Sequence, residues 1–170
     1  MAGKRLALLA ALAAIVVVSV GAVESSAAPK QQTISLLEMD TAFVGTGGWN
    51  SNGNAPPSIG QGFVSDGTYF KWAGNKRGAA VGHLQVLCTA TTTVTFTQTS
   101  ATGWFHCDAT AFLPGGRIEA SGPLSFSGNT NTLPVVGGTG KYVGAQGYVT
   151  TTNIGGSNSN TSADVIHITG

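Results

Sequence analysis

Beyond residue 60 the chain alternates apolar and polar positions at a period of two, and clusters of Gly, Asn, Pro and Ser interrupt the alternation at short intervals. That period sends successive side chains to opposite faces of an extended backbone, as in a half-buried strand. It predicts strands near residues 62–72, 79–89, 103–112, 117–127, 132–136, 142–151 and 164–169, with an earlier one at 34–40. Residues 91–97, rich in Thr, either extend the third strand or belong to its hairpin. A Gly/Asn/Pro-rich loop at 45–59 cannot bury its own backbone and reads as a mouth, a lid or a mobile tip. No helix longer than a turn is legible after residue 30. Short strands without repeats or crossover helices fit a closed antiparallel barrel or a sandwich, and the pattern alone does not separate them.

The first residues follow a different pattern. Lys4 and Arg5 precede an apolar run from Leu6 to Val20, and Ser25-Ser26-Ala27 offers the small residues a signal peptidase cuts after. The apolar run is about fifteen residues, short of the roughly twenty that a spanning helix needs. Residues 1–27 are therefore expected to be a secretory signal peptide, and 28–170 the exported domain, which is secreted with no membrane segment after cleavage.

Composition narrows the function classes. Only 9% of the 170 residues are charged and the net charge is +1, so neither nucleic acid nor an anionic membrane surface has an electrostatic partner here. So few charges also leave sheet edges poorly guarded, a liability that barrel closure removes. In an exported chain Cys88 and Cys107 are expected to form a disulfide. His83, His106 and His167 have no zinc-type spacing with each other or with the cysteines, so no metal and no cofactor is expected. There is no Gly-x-Ser-x-Gly elbow, and His106 with Asp108 on one strand face makes a pair, not a triad.

Parity sorts the candidates for a binding face. If Cys88 and Cys107 bridge neighbouring strands, their faces match, and His83 and Gln85 share the opposite face with Trp104, His106 and Asp108. That aromatic and polar face has the mixed character of a ligand pocket. Parity does not say which face is inside.

Near the end of the chain, Gly137, Gly138 and Gly140 interrupt an apolar run and precede renewed alternation, predicting a strand, a tight turn and a strand. A phosphate-binding loop is excluded by spacing, because Val135 and Tyr142 stand where its first glycine and its Ser or Thr belong. Pro134 through Tyr142, followed by Ala145-Gln146-Gly147, resembles the signature of plant dirigent proteins. Gly116-Arg117-Ile118 and Ser121-Gly122-Pro123-Leu124 resemble allene oxide cyclase, a relative on the same barrel. The resemblance runs from about Ile34 to Thr169 and implies an all-β, eight-stranded antiparallel up-and-down barrel, often a homotrimer, whose lumen holds small hydrophobic molecules.

The cyclase comparison places Glu38 on a pocket glutamate, Gln85 on a pocket cysteine and Leu124 on a pocket tyrosine, with Asp40 and Gly67 on asparagines. Only the glutamate is kept, and Gln146 replaces the arginine of the dirigent Ala-Arg-Gly. These departures point to another ligand in the same barrel, or to no catalysis. The expectation is a secreted barrel that binds a small hydrophobic molecule and guides its cyclisation or isomerisation, an isomerase-like role resting on conformational control. Glu38 is the catalytic candidate, and His83, Gln85, Trp104, His106, Asp108 and Leu124 are the ligand-binding candidates. The alternative is a non-enzymatic carrier or surface-interaction module, favoured if the lumen is packed with side chains.

Overall fold

The computed structural model describes residues 31–52, 55–96, 101–155 and 159–169; the predicted signal segment lies outside them. Its elements in chain order are β1 (Gln31–Thr46), β2 (Gly62–Ala73), β3 (Lys76–Ala90), β4 (Thr95–Phe96), β5 (Ala101–Thr102), β6 (Trp104–Leu113), β7 (Gly116–Ser125), β8 (Thr130–Gly138), a 3-10 turn (Gly140–Tyr142), β9 (Gln146–Asn153) and β10 (Thr161–Thr169). Eight strands close a barrel in the order β1-β10-β9-β8-β7-β6-β3-β2, every pair antiparallel. Closure is made by β10 on β1, with Gln31 opposite Thr169 and Met39 opposite Thr161. This is the up-and-down barrel, not the sandwich. The tiny β4–β5 ladder stands apart from it and carries Thr95 and Phe96, so the Thr-rich segment forms a hairpin and does not extend β3.

The period of two decides the inside. On β6 Phe105, Cys107, Ala111 and Leu113 are buried, while Trp104, His106 and Asp108 are exposed. Cys88 lies directly opposite Cys107 in the β3–β6 ladder, and the two are joined in a disulfide on the inner face. On β1 the register shifts between Asp40 and Ala42, so Thr41 is an extra residue opposite β2. The inward row Leu36, Glu38, Asp40 therefore continues at Phe43, whose ring stacks on Phe63 with centroids 4.8 Å apart.

One end of the barrel is plugged. Tyr142 and Ala145 are buried there against Leu113, Ile118, Ile166 and Ile168. This corrects the expectation of a strand from residue 142: Tyr142 belongs to the 3-10 turn, Gly144 takes a φ of 77°, and β9 begins at Gln146. The phenol ring gains more by filling the open barrel end than by continuing a ladder. Gly140 has a φ of 61°, and a Cβ there would lie 2.1 Å from the Gly115 carbonyl oxygen. Gly137 and Gly138 end β8 ahead of the turn.

The other end carries an aromatic cluster in which Phe105 meets Phe126 edge-on at 4.6 Å and Phe63 lies beside both. Trp49 of the long loop sits edge-on to Phe43 and donates from Nε1 to the Ala55 carbonyl at 2.8 Å. Between the cluster and the plug the barrel is hollow.

Candidate functional site

The lumen holds a cavity of about 250 Å³. Its two sides differ in chemistry. Contiguous strands β3, β6 and β7 contribute Leu84, Val86, Ala109, Ala111, Ile118 and Ala120, an apolar arc. Facing it, β2, β1, β10 and β9 contribute Ser65, Glu38, Asp40, Ser162, Asp164 and Thr151. No Lys, Arg or His lies among the lining residues.

The polar arc is wired through one hydroxyl. Ser162 Oγ lies 2.9 Å from Glu38 Oε2 and 3.0 Å from Asp164 Oδ1, and Tyr69 Oη donates to Asp164 Oδ2 at 2.7 Å. Ser65 Oγ donates to Asp40 Oδ1. A serine has one proton to give, so it cannot satisfy two carboxylates at once. Ser162 can therefore serve both only if one of the two acids is protonated.

Electrostatics put that proton on Glu38. Burial first, then repulsion from Asp40, a hydrogen bond of the protonated acid to Asp40 and repulsion from Asp164, outweigh the Ser162 hydroxyl and push Glu38 up to about 9, so it is neutral at pH 7. Burial also raises Asp164, but hydrogen bonds from Thr151, Tyr69 and Ser162 oppose the rise. Burial and the adjacent Asp164 hold the Tyr69 phenol well above its ordinary value. Glu38 is only 6% exposed, and its Oε1 has no hydrogen-bond partner among the described residues. That oxygen rests over Gly67, where a Cβ would stand 2.1 Å from it. A side chain at position 67 would evict the carboxyl.

The structure brings together only some of the residues singled out by sequence. Glu38 and Leu124 line the cavity. His83, Gln85, Trp104, His106 and Asp108 do share one face, as parity required, but it is the outside of the barrel. The disulfide face points inward, because a narrow lumen accommodates Cys, Ala, Val and Leu and leaves the bulky polar set to solvent. Trp104 is 49% exposed, and His83 stacks on Phe112 at 4.3 Å on the outer surface. His106 and Asp108 meet Ser121 there: Ser121 Oγ donates to Asp108 Oδ1 at 2.6 Å and lies 3.2 Å from His106 Nε2. Asp108 approaches that same ring nitrogen at 4.0 Å, so the three make no relay of the Ser-His-Asp kind, which needs the acid on the other nitrogen. Sequence reasoning missed Tyr69, Ser162 and Asp164. The signal for Asp164 was present, since it interrupts an apolar strand with a carboxyl between Ala163 and Val165.

No protein-family model and no curated protein matches the chain. Solved structures match its fold. A pterocarpan synthase dirigent protein superposes with a TM-score of 0.63 at 17% identity, covering 84% of this chain and 97% of that one. Pyocyanin demethylase gives 0.60 at 17%, covering 80% and 99%. An exo-specific intermolecular Diels-Alderase also gives 0.60 at 17%, covering 83% and 99%. The barrel is thus the one shared by dirigent proteins and Diels-Alderase cyclases, the fold implied by the Gly-rich segment.

Proposed function

We propose that the lumen binds a small, largely apolar molecule and holds it in the conformation from which it cyclises or isomerises. The observation that carries this reading is the hollow, two-sided lumen. A packed lumen would have favoured an interaction module. An apolar arc orients a ligand's hydrocarbon side, and a few convergent polar groups fix its other edge. At about 250 Å³ the cavity falls just below the roughly 300–1,000 Å³ typical of drug-sized ligands, so the ligand is compact. The folds that this barrel resembles include a dirigent protein and a Diels-Alderase, and holding a reactive molecule in one conformation lowers a barrier with little acid–base machinery. Glu38, neutral at pH 7 and inside the cavity, is the acid–base candidate. Export fits the same reading, since a buried disulfide belongs to an oxidising compartment.

Binding of a neutral fluorescent probe, N-phenyl-1-naphthylamine, tests the proposal. The wild type should bind it in the micromolar range, about 8 kcal/mol. Ala109→Phe, which fills the lumen, should abolish binding while circular dichroism shows an intact barrel. Trp104→Ala, on the outer face, should leave it unchanged. Binding that survives Ala109→Phe and is lost in Trp104→Ala would place the ligand outside and sink the proposal.

A further inference from the structure

The lumen contains Glu38, Asp40 and Asp164 and not one cationic side chain among its lining residues. Buried carboxyls ordinarily come with a Lys, Arg or metal partner, because an isolated buried charge is expensive. Here the surroundings of Glu38 supply none. Its own strand contributes Asp40, β2 contributes Tyr69 and Ser65, and β10 contributes Ser162 and Asp164. Across the cavity, β3, β6 and β7 present the apolar arc. Glu38 nevertheless lines the cavity, with its Oε1 turned against Gly67.

Each ligand class meets this lumen differently. An anion meets carboxyls and no cationic partner. A neutral hydrocarbon fills the apolar arc and leaves the three carboxyls without a counter-ion. An organic cation with an apolar body satisfies both arcs: its hydrocarbon surface packs on β3, β6 and β7, and its charge faces the carboxyls. Phe63 and Tyr69, which also line the cavity, offer aromatic rings to the same charge. We infer that the ligand of this lumen is a compact lipophilic cation, a substituted ammonium or an aromatic cation, for which Glu38 is the counter-ion. The inference rests on the lumen being the ligand site.

It has a thermodynamic signature. Because burial and the neighbouring carboxyls keep a proton on Glu38 up to about pH 9, a cation must displace that proton to gain its counter-ion. Binding then releases a proton at pH 7 and tightens as pH rises. It leaves Glu38 as a carboxylate, the form that can accept a proton from the bound molecule.

The test uses three probes of matched shape and different charge: phenyltrimethylammonium, tert-butylbenzene and benzenesulfonate. Their affinities are read by displacement of N-phenyl-1-naphthylamine and by calorimetry in buffers of different ionisation heat. The ammonium should bind roughly tenfold or more tightly than tert-butylbenzene at pH 8, and benzenesulfonate should not bind. Its affinity should rise by up to about tenfold per pH unit between pH 7 and 9, with release of about one proton. Tert-butylbenzene should show no such rise. Glu38→Gln, which keeps the size of the neutral acid, should remove both the pH dependence and the proton release. If tert-butylbenzene binds as tightly as the ammonium, or the ammonium binds independently of pH, the inference fails and the lumen remains the site of a neutral ligand. If none of the three displaces the bound naphthylamine, the inference fails and the lumen reading stands; if the naphthylamine itself does not bind, the lumen reading fails with it.

Discussion

At the scale of single residues, Glu38 governs how the protein responds to pH. Its folded value, near 9, stands above the ordinary 4.5, so the folded state holds a proton that the unfolded state has released. Below about 4.5 both states are protonated and Glu38 costs nothing. Between 4.5 and 9 stability falls as pH rises, and above 9 the loss is complete. Asp164, also raised by burial, acts in the same direction. Glu38→Gln should therefore match the wild type in urea denaturation at pH 4 and exceed it at pH 8, by on the order of a few kcal/mol. Parallel stability curves would show that the carboxyl is not desolvated as described. Glu38 was legible in sequence only through the family comparison. Tyr69 and Ser162 were not, because a tyrosine or serine inside a strand looks the same whether it faces a lumen or solvent. Which face of β3 and β6 turned inward was equally hidden, since alternation fixes only which residues share a face.

At the scale of elements, strand positions followed from alternation and most boundaries moved outward. β1 runs from Gln31 to Thr46, well beyond residues 34–40, because pairing with β10 extends it back to Gln31 and pairing with β2 carries it past the bulge to Thr46. The segment after Gly138 is the opposite case: regular alternation concealed a turn and a plug. Tyr142 turns into the barrel end because Gly140 and Gly144 adopt positive φ on either side of it. Gly140→Val meets both an unfavourable φ and a carbonyl oxygen 2.1 Å from its Cβ. It should destabilise the barrel by at least about 1 kcal/mol, read as a shift in denaturation midpoint. An unchanged midpoint would mean that residues 139–145 are not seated as a plug.

At the scale of the whole molecule, closure, one plugged end and a cross-strand disulfide turn a chain with few charges into a rigid container. The bridge joins cysteines 19 residues apart and pins β3 to β6 on the inner wall. Removing it by Cys88→Ala with Cys107→Ala should cost roughly 3 kcal/mol in the chain-entropy account, measured by denaturation of the oxidised and variant proteins. Equal stabilities would deny the bridge that role. The container fold was legible from sequence because the Gly-rich segment near its end and the strand spacing pointed the same way. Its contents were not, because the polar arc is assembled from β1, β2, β9 and β10, which meet only when the barrel closes.

The central claim is that a ligand occupies the lumen and not the outer face, and methyl NMR reads the two separately. Leu84, Val86, Ile118 and Leu124 line the cavity, whereas Val44, Val64 and Leu87 are exposed on the outer surface of β1, β2 and β3. Titration of the methyl-labelled protein with phenyltrimethylammonium at pH 8 should shift the first group and leave the second in place. Shifts confined to Val44, Val64 and Leu87, with the lumen methyls unmoved, would contradict the claim.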